Sequence, residues 1–255
     1  MTTAISTTYQ AAARTADRNV VRKWARLGIG FNVEPARKTP DLEQLLVATA
    51  KVCPRNARLF ILVATWLKKF GIYVAAHRIK GLATSQLDSD DQATLAILLG
   101  TAVEHGAPKL LRKIVVSELA QATTPGPLFE VDRGPLSDLI EADATETSKH
   151  YGRWVQPIEL KPGALRTPQW VLKKNPSLSW RAAHKGDLRC SVAETLRRNM
   201  LGATISESEL ARQCGATRAA VRAALHDLQF EFLGLKIIRQ QGVRGSMIHL
   251  EKTTE

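Results

Sequence analysis

The sequence predicts a mainly α protein: an N-terminal all-α helical domain followed by a smaller α+β unit of three helices and a β-hairpin. Three observations carry this. Between Thr15 and Leu119, apolar residues recur at helical spacing, with helix-start and helix-stop residues between the runs. From Leu188 a second helical series is cut by a tight turn at Gly215 and ends in two strand-like runs. Between the two series lies a stretch rich in proline and tryptophan that keeps no period. The expected divisions are a basic N-terminal arm and helix (1–38), an all-α domain (39–122), a Pro/Trp-rich connector (123–186) and the C-terminal unit (187–250).

Residues 1–13 (MTTAISTTYQAAA) are small and polar and are expected to fray. From Thr15 to Leu27 a basic helix follows, with Val20, Val21, Trp24 and Leu27 at helical spacing and Arg18, Arg22, Lys23 and Arg26 between them. Gly28 and Gly30 stop it. Thr39-Pro40-Asp41 supplies a capping hydroxyl, an N1 proline and an early acid ahead of Leu42, Leu45, Leu46 and Ala50. Pro54 opens a helix carrying Leu59, Leu62, Val63, Trp66, Leu67 and Phe70 and ending at Gly71. Apolar over most of its circumference, it is the expected central helix of the domain. Asp88, Asp90 and Asp91 charge the start of a helix through Leu95, Leu98, Leu99 and Val103, which Gly106 ends. Pro108 opens the last one, through Leu110, Leu111, Ile114, Val115 and Leu119. Ala57–Leu62 and Ala93–Leu98 align at an offset of 36, each running on to a glycine and a second helix. Either a helix-hairpin repeat or the chance likeness of two amphipathic helices gives this echo.

The segment TTPGPLFEVDRGP (123–135) reads as a linker or an ordered crossover loop, and 136–150 as an acidic stretch with a short helix. Trp154, Trp170 and Trp180, set among Pro157, Pro162, Pro168 and Pro176, make the remainder too aromatic for disorder. An irregular connector packed on a domain face is expected.

Composition bounds the function. With 44% apolar and 24% charged residues among 255, the chain is globular rather than disordered. Uncharged apolar stretches such as Leu59 to Leu67 fall well short of the roughly 20 residues a bilayer needs, so no membrane partner is expected. The first thirty residues lack the apolar core of a secretory signal. Cys53, Cys190 and Cys214 are odd in number and far apart, which fits a reducing, cytoplasmic setting with no disulfide framework and no zinc site. The net charge of +12 points to a polyanionic partner, most often nucleic acid. It is uneven: +10 over residues 1–80, −6 over 81–149, +5 over 150–188 and +3 over 189–255. Either this is an ordinary fluctuation, or the two basic ends touch a polyanion while the acidic middle faces elsewhere or masks a basic surface.

In the C-terminal unit, the first helix runs from Leu188 to about Met200, with Val192, Leu196 and Met200 on one face, and Ile205 pairs as a short strand. Ser206-Glu207-Ser208-Glu209 has capping-box spacing before Leu210 and Ala211. Gly215 makes the turn, Thr217 caps the third helix, and Val221, Ala224, Leu225 and Leu228 form its buried stripe. Its other face shows Arg218, Ala219, Arg222 and His226, the last read as solvent-facing. Leu235–Gln240 and Ser246–Leu250 read as strands joined by Gln241-Gly242-Val243-Arg244-Gly245. The text ISESELARQCGATRAAVRAALHDLQFEFLGLKIIRQQGVRGSMIHL resembles the winged helix-turn-helix superfamily. The resemblance does not extend to residues 1–186.

That resemblance implies a recognition helix, Thr217 to Gln229, laid in the DNA major groove. Arg218 and Arg222, four apart and near the helix N-terminus, are the expected base readers, because arginine pairs bidentately with guanine. The hydroxyls of Ser206 and Thr217 and the helix N-terminal amides are expected phosphate contacts. Arg244 at the wing tip reaches an adjacent minor groove or phosphates, with Arg239 in support. Lys173, Lys174, Arg181, Lys185 and Arg189, ahead of the first helix, are either backbone contacts or a solvated face.

No nucleotide-binding, hydrolase or metalloprotease motif is present, the six histidines are dispersed, and Asp88, Asp90 and Asp91 are explained by a helix N-terminus. No enzyme activity, cofactor or metal is therefore expected. The expected function is sequence-specific binding of double-stranded DNA by a transcriptional regulator, a repressor acting by promoter occupancy. An antitoxin that represses its own operon is one concrete version. A homodimer is expected, because one such domain reads few base pairs. The α-helical domain then supplies dimerisation, effector or protein-partner binding. The alternatives are an interaction adaptor in a defence, replication or segregation assembly, and a nucleic-acid enzyme with a degenerate site in residues 41–150. The excess charge in residues 1–80 and the connector either follows the phosphate backbone or meets an acidic partner surface, which this chain's own acidic middle also offers.

Overall fold

In a computed structural model describing residues 2–114, 119–135, 137–198, 204–231, 235–242 and 245–252, helix α1 (Thr2–Arg26) starts well before its apolar spacing begins. The segment expected to fray is continuous with the helix; its alanines favour helix, and no glycine or proline interrupts it before Gly28. The C-terminal half of α1 is part of the core rather than an arm. Val20, Trp24 and Leu27 are buried, the Trp24 indole donates to Thr49 Oγ1 (2.8 Å), and the Trp66 indole donates to the Leu27 carbonyl (3.0 Å).

Helix α2 (Leu42–Val52) is capped by Asp41, which accepts from the Gln44 amide, and not by Thr39, whose hydroxyl donates to Asn175 Oδ1. Pro54 sits in a single 3-10 turn (Cys53–Arg55), after which Asn56 caps α3 (Ala57–Phe70). Helix α4 (Ala76–Gln86) follows, then α5 (Ser89–Glu104) with Asp88 as its cap, and α6 (Lys109–Ile114). Val115, expected in the last of these, lies outside the described residues. Central position is shared: α5 is buried on every side from Ala93 to Ala102 and packs against α3.

The Pro/Trp-rich region is built onto the same core. Strand β1 (Gly126–Pro127) pairs in parallel with β2 (Arg153–Trp154), around α7 (Ser137–Ala142) and α8 (Glu146–His150). Helices α9 (Pro168–Lys174) and α10 (Ser177–His184) complete it. Leu128, Phe129, Tyr151, Val155, Val171 and Leu178 join one apolar cluster with Trp24, Leu59 and Leu95, so residues 39–122 do not close a core alone.

The C-terminal unit has its own core. Helices α11 (Leu188–Arg198), α12 (Glu207–Cys214) and α13 (Arg218–Glu231) bury Val192, Leu196, Leu210, Val221, Leu225 and Leu228 against one another. Strand β3 (Ile205–Ser206) pairs antiparallel with β5 (Gly245–Lys252), which pairs with β4 (Leu235–Gly242) in the order β3-β5-β4. The hairpin strands run further than the sequence pattern implied, with Gly242 opposite Gly245. Met200, Val243 and Arg244 lie outside the described residues.

A ring of alternating charges fastens the two cores together. Arg198 bonds Asp41 and Arg78 bonds both Asp41 (3.0 Å) and Glu43 (2.8 Å). Arg181 bonds both Glu43 and Glu194 (2.6 Å), and Glu194 returns to Arg198 (3.2 Å). Arg181, expected at a DNA backbone or on a solvated face, is instead only 1% exposed, because α10 lies between α2 and α11 and its guanidinium has two carboxylates to satisfy. At the joint between α10 and α11, left-handed Lys185 precedes Gly186 (φ 63°), where a Cβ would stand 2.8 Å from the Val74 carbonyl oxygen. Among the described residues, no helix is long and apolar enough to cross a membrane.

Candidate nucleic-acid interface

The Ser206 hydroxyl accepts the Glu209 amide (3.1 Å) and starts α12. Only half of the expected capping box forms, because the Glu209 carboxylate turns to Arg212 Nε (2.8 Å) and Gln213 Nε2 (2.6 Å). Those bonds hold the Glu209 carboxyl down to about 2. Gly215, at φ 64°, ends α12; its amide donates to the Arg212 carbonyl and that of Ala216 to the Ala211 carbonyl. Thr217 Oγ1 then accepts the Ala220 amide (3.2 Å) and starts α13.

This geometry brings Thr217, Arg218, Ala219 and Arg222 to an exposed face of α13, while Val221, Ala224, Leu225 and Leu228 are buried on the other. His226 is exposed, with its ring near Asp227. Arg222 is committed to an ion pair. Its Nε donates to both carboxylate oxygens of buried Glu207 (3.0 and 2.9 Å) and its Nη2 lies 2.8 Å from Oε2, while the side chain stays 49% exposed. The hydrogen bond to Glu207 raises the Arg222 pKa further above its usual value. The pair uses Nε–H and one Nη2–H, which leaves three of the five donors, one of them on Nη2 and two on Nη1, for an end-on two-pronged grip on a base while the ion pair stays closed. Arg218 carries no such tie to Glu207.

The remaining expected residues are dispersed. Arg239 lies in β4 opposite Ile248, and Arg244 is outside the described residues. Exposed Lys173 and Lys174 close α9 beside α1, where the Lys174 carbonyl accepts from Arg26 Nη2 (2.6 Å). Lys185 is exposed at the α10–α11 joint, and Arg189 pairs with neighbouring Asp187 (2.8 Å).

Helix α4 borders the turn before α13, which the sequence did not indicate. A Cβ at Gly215 would stand 3.0 Å from the His77 carbonyl oxygen, and Arg78 Nε donates to the Gln213 carbonyl (3.2 Å). A cleft of about 640 Å³ opens there, lined by Asp41, Gln44, Arg78, Arg198, Arg212 and Gly215 among others. Burial raises the Asp41 pKa, but Arg78 and Arg198 outweigh it and hold the carboxyl at about 2. His77 Nε2 lies 3.1 Å from Ser191 Oγ, and burial lowers its pKa from the ordinary imidazole range. Comparison with models of protein families, with curated proteins and with solved structures finds no match to this chain.

Proposed function

We propose that residues 187–250 form a winged helix-turn-helix domain that binds duplex DNA sequence-specifically, and that the chain is a transcriptional regulator acting by promoter occupancy. The observation that carries this reading is the two-sided α13: Thr217, Arg218, Ala219 and Arg222 outward at its N-terminal end, and an unbroken apolar stripe inward. The element order supports it, since a short strand, two helices around a tight turn and an antiparallel hairpin make up that architecture. Arg218 is then the principal base reader, and Arg222 a second contact made through Nη1 and the outer Nη2 hydrogen while Glu207 holds its other side. A homodimer would set two such helices about 34–36 Å apart on successive half-sites.

A pool of random duplexes bound by the wild-type protein yields the preferred site. On that site the Arg218→Ala/Arg222→Ala variant loses affinity at least about 30-fold, the low end for two contacts worth roughly 1–3 kcal/mol each. Unchanged affinity refutes the assignment. One observation favours a protein-docking role instead: Glu207 and Glu209 internally neutralise Arg222 and Arg212. That reading gains if the pool yields no preferred sequence.

A further inference from the structure

We propose that a second basic surface, assembled from α1, residues 37–38 and the end of α9, carries the phosphate backbone of the same duplex past the major-groove site. The proposal rests on α13 being the DNA reader and extends its footprint.

Along α1, Arg14, Arg18, Arg22 and Arg26 follow one another every four residues. At 3.6 residues per turn, each step drifts only about 40° and rises about 6 Å, giving a run of about 18 Å. The fold sets further cations beside this run from distant parts of the chain. The Ala36 amide donates to the Arg22 carbonyl (2.9 Å), laying Arg37 and Lys38 along the helix. Arg26 Nη2 donates to the Lys174 carbonyl (2.6 Å) and Asn175 Nδ2 to the Arg26 carbonyl (2.9 Å). Thr39 Oγ1 then closes onto Asn175 Oδ1 (3.1 Å), so the three segments share one surface. Arg14, Arg18, Arg37, Lys38, Lys173 and Lys174 are all exposed on it. The acids on these segments are Glu34, beside Arg22 at 3.6 Å, and Asp17, turned to Arg55 at 2.8 Å.

The chemistry favours a nucleic-acid backbone over other polyanions. An amphipathic helix that enters an anionic membrane leads with its apolar face. Val20 and Trp24 on that face of α1, and Leu27 just beyond its end, are already buried in the core. The four arginines climb about 18 Å while turning about 120° round the helix, a length comparable to about five base pairs of duplex at 3.4 Å of rise each. The surface also leads toward α13. Lys38 stands three residues before Asp41, at most about 11 Å of extended chain, and Asp41 lines the same cleft as Gly215, the turn before α13.

The test compares the full-length protein with an Arg18→Ala/Lys38→Ala/Lys173→Ala/Lys174→Ala variant, with thermal melts checking that both are folded. Affinity for a mixed-sequence duplex of about forty base pairs is measured across a salt series; four lost phosphate contacts lower the slope of log K against log salt by about 3 to 4. Preference for the selected site over mixed sequence stays as in the wild type. A slope equal to the wild type's overturns the surface, and if Arg218→Ala still abolishes site preference the reader survives alone. Conversely, a reduced slope in a protein that shows no sequence preference keeps the surface and removes the reader. Binding to phosphatidylserine vesicles but not to duplex overturns the proposal in favour of a membrane.

Discussion

Arg181 uses every donor of its guanidinium. Nε and Nη2 bond Glu194 (both 2.6 Å), both terminal nitrogens bond Glu43, and Nη1 also reaches the Tyr73 carbonyl (2.8 Å). Glu43 is fully buried and takes in addition the Ala75 amide (2.8 Å) and Arg78. In this setting the ion pair's net worth is small, but losing one partner is costly because the other charge stays buried. Arg181→Ala is therefore expected to lower the unfolding free energy by about 3–5 kcal/mol, a large part of the roughly 5–15 typical of a folded chain. Urea unfolding reads the loss, and a change under about 1 kcal/mol would show that water or rearrangement compensates Glu43 and Glu194. No such penalty attaches to Arg212, whose pair with Glu209 is solvated on both sides.

Among the elements, the turn between α12 and α13 is fixed by both backbone and surroundings. Gly215→Ala puts a Cβ into left-handed geometry and against the His77 carbonyl of α4. An expected loss of about 1–3 kcal/mol follows. Gly81, on the open side of α4, has nothing within 4 Å of its would-be Cβ, so Gly81→Ala should gain about 0.5–1 kcal/mol from helix propensity. Thermal melts of the two variants that moved in the same direction would rule this account out. The turn itself was legible in the sequence: Ser206, Gly215 and Thr217 carry local signals, and the stripe Val221, Ala224, Leu225 and Leu228 has a helical period that burial honours. The contact with α4 was not. Arg181 reads as a backbone contact or part of a solvated face, because a partner 138 residues away, Glu43, leaves no mark on local pattern. The cap of α2 was misplaced by two residues for a related reason, since Thr39 has a distant competitor in Asn175.

At the scale of the whole molecule, the charge ring makes the joint between the two cores sensitive to acid. Asp41 has a folded pKa of about 2 against an ordinary 3.8, so its contribution is complete above pH 4 and is lost as pH falls toward 2. That contribution is about 2 kcal/mol. His77 acts earlier. Burial holds its folded pKa below 6.5, with Arg78 and Arg181 adding to the depression and Glu43 and Asp187 opposing it. A neutral imidazole is thus favoured by folding; stability is complete above pH 6.5 and falls as pH drops below it. Both groups join α4 or α2 to α11, His77 through Ser191 and Asp41 through Arg198. Unfolding free energy measured across pH should therefore fall in two stages, one beginning near 6.5 and one near 4. Asp41→Asn should shrink the lower stage, to which solvated Glu209 also adds a little, and leave the upper one, while His77→Gln should remove the upper only, since glutamine can still reach the Ser191 hydroxyl without titrating. If both variants kept the wild-type profile, acid would be acting elsewhere, and the ring would be a passive fastening between the cores.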